Sequence, residues 1–531
     1  MKRIILYILL FPIILNAQKK TNSNSHNSPK LIVGIVIDQM RYDYIYRFWD
    51  KFEEDGFKRL INNGFLCRNA NFSYAPTFTG PGHASIFTGT TPAIHGIIAN
   101  NWFDKESKKS IYCAGDGEMQ TVCNCHDQTI DILSDDGKMS PHHMLSSTIA
   151  DQMKLFNENT KAIGISLKDR GAILASGHSA NAAYWMDNEG KWITSSYYMD
   201  KLPKWLVDYQ STTTATDWLN GNWVVKNKFN HDLEKALEEK GPKAIKTTPY
   251  GNTILNELAI KIIEKERLGK NGNTDFLSIS FSSTDYIGHK YGPHSAEIED
   301  TYIKLDKDLA KLLKVIDKNI GLNNAIIFLT ADHGVVSEPH ELTKRKIPAG
   351  YFDKASCQQS LEAALRSKYG NGDWIHNFSN GQFFLNHDLI NENGISIRKI
   401  QDFCADFLIK IKGIKHTFTA KQMTENSYNG SSVHALIQRG FSQKRSGDVI
   451  IVLDIGWIGD GWESGGTTHG SSFSYDTHVP LIFSGKFIPK GKLDRLVYIQ
   501  DIAPTISTLL GISYPNGCTG IPIREITEWK H

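Results

Sequence analysis

Three apolar runs in this chain end on, or just before, an aspartate. They are Leu31-Ile-Val-Gly-Ile-Val-Ile-Asp38, Phe276-Leu-Ser-Ile-Ser-Phe-Ser-Ser-Thr-Asp285 and Ala325-Ile-Ile-Phe-Leu-Thr-Ala-Asp332. Two of them add histidine at once, as Asp285-Tyr-Ile-Gly-His289 and Asp332-His333-Gly334. Taken singly, such an aspartate is an ordinary loop cap. Taken jointly, three carboxylates and two imidazoles at strand ends are the donor set of a borderline metal such as zinc. The spacing of Asp285 and His289, one helical turn, lets both reach one cation.

Other residues extend that chemistry. In Ala75-Pro-Thr-Phe-Thr79-Gly-Pro-Gly-His83, Thr79 sits where a loop enters a helix. Its hydroxyl is a weak nucleophile until a base or metal lowers its pKa, and a helix start favours anions. Ser166-Leu-Lys168-Asp-Arg170 follows a further strand-like segment. In extended geometry Lys168 and Arg170 share a face, and such cations grip phosphate oxygens. A late histidine, His469, lies in Gly465-Gly-Thr-Thr-His469-Gly470. His83, His95 and His178 also sit in glycine-containing loops, so spacing alone leaves the choice among them open.

These residues need a frame to bring them together. Short apolar runs rich in Val and Ile read as buried strands of a parallel sheet. In open α/β sheets ligands bind beyond the carboxyl ends of the strands. Residues 161–167 and 478–484 read as further strands. Ser140-Pro141 reads as the start of a helix reaching about Leu155. Ile298, Tyr302, Leu305, Leu309, Leu312 and Ile316 recur at helical spacing, predicting a helix over 295–318 between two strands and hence a parallel pairing. The expected fold is α/β: a large central, mostly parallel sheet flanked by helices. Insertions are expected near 180–250, which is rich in tryptophan, and near 340–465, within one catalytic domain over 31–531.

Bulk features narrow the class. Residues 1–17 carry Lys2 and Arg3, then an apolar stretch of twelve and Ala17, the pattern of a cleaved secretory signal. A polar leader follows over 18–30. Removing the first 17 residues lowers the formal net charge from +2 to 0, so nothing suggests a nucleic-acid partner. Periplasmic or secreted location is expected, with no stable membrane anchor. Of seven cysteines, the clustered Cys113, Cys123 and Cys125 are read as loop stapling.

The order of these motifs resembles the alkaline phosphatase superfamily. With the Asn100 region and Lys168-Asp-Arg170, it resembles most the PafA-type alkaline phosphatases. The resemblance implies two zinc ions, one held by Asp285, His289 and His469, the other by Asp38, Asp332 and His333 and meeting Thr79. It implies that Asn100, Lys168 and Arg170 bind the non-transferred phosphoryl oxygens, and that small phosphomonoesters are hydrolysed through a phospho-threonine. A monomer is expected. The alternative is an exported phosphodiesterase or nucleotide pyrophosphatase, whose members look similar at Thr79 and the metal ligands but usually lack the cationic pair.

Overall fold

Leu31–Ile37 has no polar side chain, and every residue in it is buried. Such a strand needs cover on both faces, and the fold supplies it. The computed structural model describes residues 28–124 and 135–528. The expected signal peptide, most of the leader, and Cys125 lie outside them.

The main sheet has eleven strands. In chain order they are β1 (Leu31–Ile37), β2 (Phe65–Asn71), β3 (Thr121–Val122), β4 (Ala162–Ser166), β5 (Ala182–Met186), β6 (Trp192–Ser195), β7 (Asp275–Phe281), β8 (Ala325–Thr330), β9 (His478–Gly485), β10 (Gly491–Leu493) and β11 (Val497–Tyr498). Their order in space is β10-β2-β9-β8-β1-β7-β4-β5-β6-β3, with β11 also on β2. The centre, β8-β1-β7-β4-β5, is parallel. β9 runs antiparallel to both its neighbours, so the sheet is mostly parallel, as expected.

Register explains why distant residues meet. Ile37 pairs with Phe281, Val36 with Thr330, and Ser280 with Ser166. Four adjacent strands therefore stop at one edge. Asp38, Lys168, Asp285 and Asp332 each follow one of these ends within four residues.

Several local expectations change. The long helix spans Ala296–Ile320, capped by the Ser295 side chain. The strands it joins, β7 and β8, are parallel but not adjacent, because β1 lies between them. The helix expected from Ser140 begins only at Ile149. Thr148 and Asp151 form a reciprocal capping box there, a stronger start signal than the Ser-Pro pair. The 180–250 segment opens with two strands of the main sheet, and Trp185 and Trp192 are buried there. Within 340–465, strands Ile375–Ser379, Gln382–Leu385, Ile414–Thr419 and Val449–Leu453 form a separate four-stranded sheet. It has its own core around Leu361, Trp374 and Ile400.

Candidate active site

Thr79 is the first residue of a helix over Thr79–Thr88 and is fully buried. Phe78 occupies the N-cap position without a side-chain cap. The free N–H groups of the first turn are handled in other ways. The Gly80 N–H donates to Asn100 Oδ1 at 2.7 Å, and Pro81 has no N–H. Gly82 is required on steric grounds: a Cβ there would lie 2.4 Å from the Asp332 carbonyl oxygen. The helix bearing Thr79 thus rests directly on the turn bearing Asp332.

At the sheet edge, Lys168 Nζ lies 2.6 Å from both Asp38 Oδ2 and Asp285 Oδ2. Its ring neighbour is Tyr286, 4.9 Å away. Lys168 does not reach this point in extended geometry with Arg170. It is the N-cap of the helix Asp169–Ser176, and Arg170 lies inside that helix. Arg170 Nη1 donates to the Tyr112 hydroxyl at 3.2 Å. The Tyr112 hydroxyl in turn donates to Asp169.

Three histidines share one wiring. His289 Nδ1 meets the Thr467 carbonyl at 2.7 Å, His469 Nδ1 the Thr77 carbonyl at 2.7 Å, and His333 Nδ1 the Gly334 carbonyl at 3.0 Å. A carbonyl only accepts, so each Nδ1 carries a proton and Nε2 is the ring atom left to face a metal. That is how metal-binding imidazoles are oriented. The other loop histidines differ. His83, His95 and His178 each use both ring nitrogens within the protein.

The Nε2 atoms face the carboxylates. His289 Nε2 is 3.1 Å and His469 Nε2 3.8 Å from Asp285 Oδ1. His333 Nε2 is 3.4 Å from Asp38 Oδ1 and 3.7 Å from Asp332 Oδ2. Two groups are tight enough to hold an ion: Asp285, His289 and His469, and Asp38, Asp285 and His333. Asp285 belongs to both. Asp332 stands slightly apart, its Oδ1 accepting from the Gln39 N–H at 3.1 Å.

Electrostatics favour cations here. Burial raises the Asp38 carboxyl above its usual range, and Asp285 adds to it. Burial raises Asp332 further, with Asp38 beside it. Burial opposes the Asp285 charge as well, but His289 and Lys168 outweigh it and hold that carboxyl well below its usual range. Burial pushes His333 down to about 3, and with His333 and His289 nearby, His469 well below the imidazole range. Both rings are therefore neutral. Asp38 Oδ1, Asp332 Oδ2 and His333 Nε2 are buried without a hydrogen-bond partner. Asp38 Oδ1 and His333 Nε2, unpartnered and 3.4 Å apart, fit a metal, and the mixed oxygen and nitrogen set suits zinc.

Some participants escaped sequence reasoning. Gln39 sits at φ 65°, the left-handed region that non-glycine residues seldom occupy. From there Nε2 donates to Asp285 Oδ1 at 2.6 Å. Trp462 stacks on His289, with centroids 5.1 Å apart. Cys113 departs from the expected staple. It is a free, buried thiol, and its Sγ would lie 3.1 Å from a Cβ at Gly80. Cys123 is disulfide-bonded.

Known proteins share this arrangement of the chain. The family described as type I phosphodiesterase / nucleotide pyrophosphatase matches residues 32–472. A Myroides odoratus protein named calcium-transporting ATPase is 40% identical over 95% of this chain and 96% of its own. Alkaline phosphatase PafA of Elizabethkingia meningoseptica is 35% identical over 99% of both chains. The crystal structure of wild-type alkaline phosphatase PafA matches with a TM-score of 0.88 at 36% identity, covering 94% of this chain and 99% of that one. Among the described residues, no helix is long and apolar enough to cross a membrane. The chain belongs to the alkaline phosphatase superfamily and, within it, to the PafA-type alkaline phosphatases.

Proposed function

We propose that this chain is a metal-dependent phosphomonoesterase that releases an alcohol and inorganic phosphate. The observation that carries the reading is Lys168, whose ammonium is held between two candidate ligand carboxylates with Arg170 two residues on. The full-length likeness to alkaline phosphatase PafA supports it.

In this reading Asp285, His289 and His469 hold one zinc ion. Asp38, Asp332 and His333 hold the other, beside Thr79. Bound there, zinc lowers the pKa of a hydroxyl and of water and offsets charge on phosphoryl oxygens. Thr79 Oγ1 loses its proton to water and attacks phosphorus as the bond to the alcohol oxygen breaks, and that oxygen leaves as the alcohol after taking a proton from water. Water then hydrolyses the phospho-threonine. Asn100, fixed by the Gly80 N–H, joins Lys168 and Arg170 in holding the remaining oxygens, where phosphoryl transfer needs charge stabilisation. The chain acts as an exported enzyme. The disulfide at Cys123 supports an oxidising compartment.

A second reading, phosphodiesterase or nucleotide pyrophosphatase, is favoured by the family description. The two differ in how many phosphoryl oxygens are free. A monoester offers three to the cationic pair, whereas a diester has one of them esterified. The test compares kcat/KM for an aryl monoester and a bis-aryl diester in the zinc-loaded protein. Lys168→Ala with Arg170→Ala should cut monoester turnover by about a hundredfold or more, and diester turnover far less. Faster cleavage of the diester by the unaltered protein would overturn the monoesterase reading, and equal losses in the double variant would remove the pair's discriminating role.

A further inference from the structure

A cavity of about 360 Å³ lies between the main-sheet body and the 340–465 segment. That is within the size range of small-molecule pockets. Three of its lining residues belong to the candidate site's edge. They are His469, Phe78, which directly precedes Thr79, and Trp462, whose ring stacks on His289. Phe78 also meets the His469 ring edge-on at 5.8 Å. Other lining residues come from the separate four-stranded sheet, Phe378 and Val452 among them, and from Trp457. Phe378 is stacked on Phe383, with centroids 4.0 Å apart, and remains half-buried.

The division of chemistry is what matters. Lys168, Arg170 and Asn100, which bind phosphoryl oxygens in the proposed reaction, do not line this cavity. Aromatic rings do, Phe78, Phe378, Trp457 and Trp462 among them. A substrate that reaches both places has an anionic end at the sheet edge and an apolar, ring-bearing end in the cavity. Aromatic groups gain from such walls both by burial and by edge or offset ring contacts.

We propose that this cavity is the leaving-group subsite, and that it selects phosphomonoesters of aromatic or arylalkyl alcohols over those of small alcohols. The inference rests on the phosphomonoesterase reading. It assigns the 340–465 segment a share in specificity, with Phe378 and Val452 as specificity-determining residues.

The test needs substrates of matched alcohol acidity, so that intrinsic reactivity cancels. Propyl phosphate and 3-phenylpropyl phosphate meet that condition. The zinc-loaded full chain should favour the phenylpropyl ester by about tenfold or more in kcat/KM, which is about 1.4 kcal/mol. Val452→Trp, which fills the cavity, should bring the phenylpropyl ester down to the propyl level. Propyl phosphate turnover and inhibition by inorganic phosphate should stay within about twofold of the unaltered enzyme. If Val452→Trp does not fold, Phe378→Ala serves, with the same selective loss at about threefold or more. Equal kcat/KM for the two esters in the unaltered enzyme would overturn the proposal. So would variants that slow both esters alike. Failure of the underlying reading has its own signature: neither monoester is hydrolysed while a bis-aryl diester is.

Discussion

The two candidate ligand sets are built by different means. Asp38, Asp332 and His333 directly follow the aligned ends of two neighbouring strands and are completely buried. Main-chain register delivers them. His289 and His469 come from a helix over Ser283–Tyr291 and from a glycine-containing loop, and the His289 side chain keeps 22% of its surface exposed. Their positions depend on tertiary pins. The Thr467 N–H donates to the His289 carbonyl at 2.9 Å while His289 Nδ1 donates back to the Thr467 carbonyl. Asp476 accepts from the Gly470 and Ser471 N–H groups beside His469. A Cβ at Gly466 would lie 2.4 Å from the His289 carbonyl oxygen, so glycine permits the close approach. The contrast teaches that one half of a site can be set by strand pairing while the other is assembled by loop contacts.

The largest effect belongs to the helix start that rests on the register-built half. Thr79→Ala should lower kcat by at least about a thousandfold, as loss of a nucleophile does elsewhere. It should also abolish trapping of a phospho-enzyme while leaving bound zinc unchanged. Full turnover by this variant would remove Thr79 from the chemistry, and lost zinc would make it chiefly a ligand.

Next come the ligands themselves. Asp332→Asn and His469→Ala should each lower kcat/KM by at least about a hundredfold, more than outer-shell partners usually contribute. Elemental analysis should find one zinc per chain missing in each. Loss of both ions from His469→Ala would mean that Asp285 makes the two groups a single cooperative site, and the division drawn above would fail. Removing all metal with a chelator should lower Tm. Binding at a hundred times Kd contributes about 2.7 kcal/mol, and three buried carboxylates are otherwise left with one ammonium.

The same contrast marks what was legible in the sequence. Asp38, Asp285 and Asp332 could be read because each ends an apolar run, and strand ends share an edge. Asp285 with His289 could be read from one-turn spacing. His469 could not be separated from His83, His95 or His178 by spacing. What separates them is whether Nε2 is left without a hydrogen-bond partner in the protein once Nδ1 is held, and for His469 that hold comes from Thr77, hundreds of positions away. The Lys168 and Arg170 segment was expected as extended backbone, yet it opens a helix. Lys168 itself keeps extended backbone as the N-cap, and Arg170 lies in the first turn of the helix. Insertion near 180–250 was expected from tryptophan density, but Trp185 and Trp192 sit in sheet strands, where aromatics are common. Gln39 gave no signal at all. Nothing in its residue type foretells a positive φ or a bond to a residue 246 positions on.

Gln39 is also where the contrast can be sharpened with the smallest change. Its backbone N–H serves Asp332, in the register-built set, while its side chain serves Asp285, which faces His289 and His469. Truncation separates the two contacts, because Gln39→Ala keeps the N–H and deletes the amide. The Asp285 carboxylate that loses this donor keeps Lys168 Nζ at 2.6 Å on its other oxygen, so the cost in stability should stay near about 1–2 kcal/mol. Zinc competition with a chromophoric chelator should then show about tenfold weaker binding of one ion and unchanged binding of the other. kcat/KM at limiting zinc should fall in parallel, and excess zinc should restore it. Equal weakening of both ions would mean that Gln39 holds the edge as one unit, and the two halves would no longer be independent.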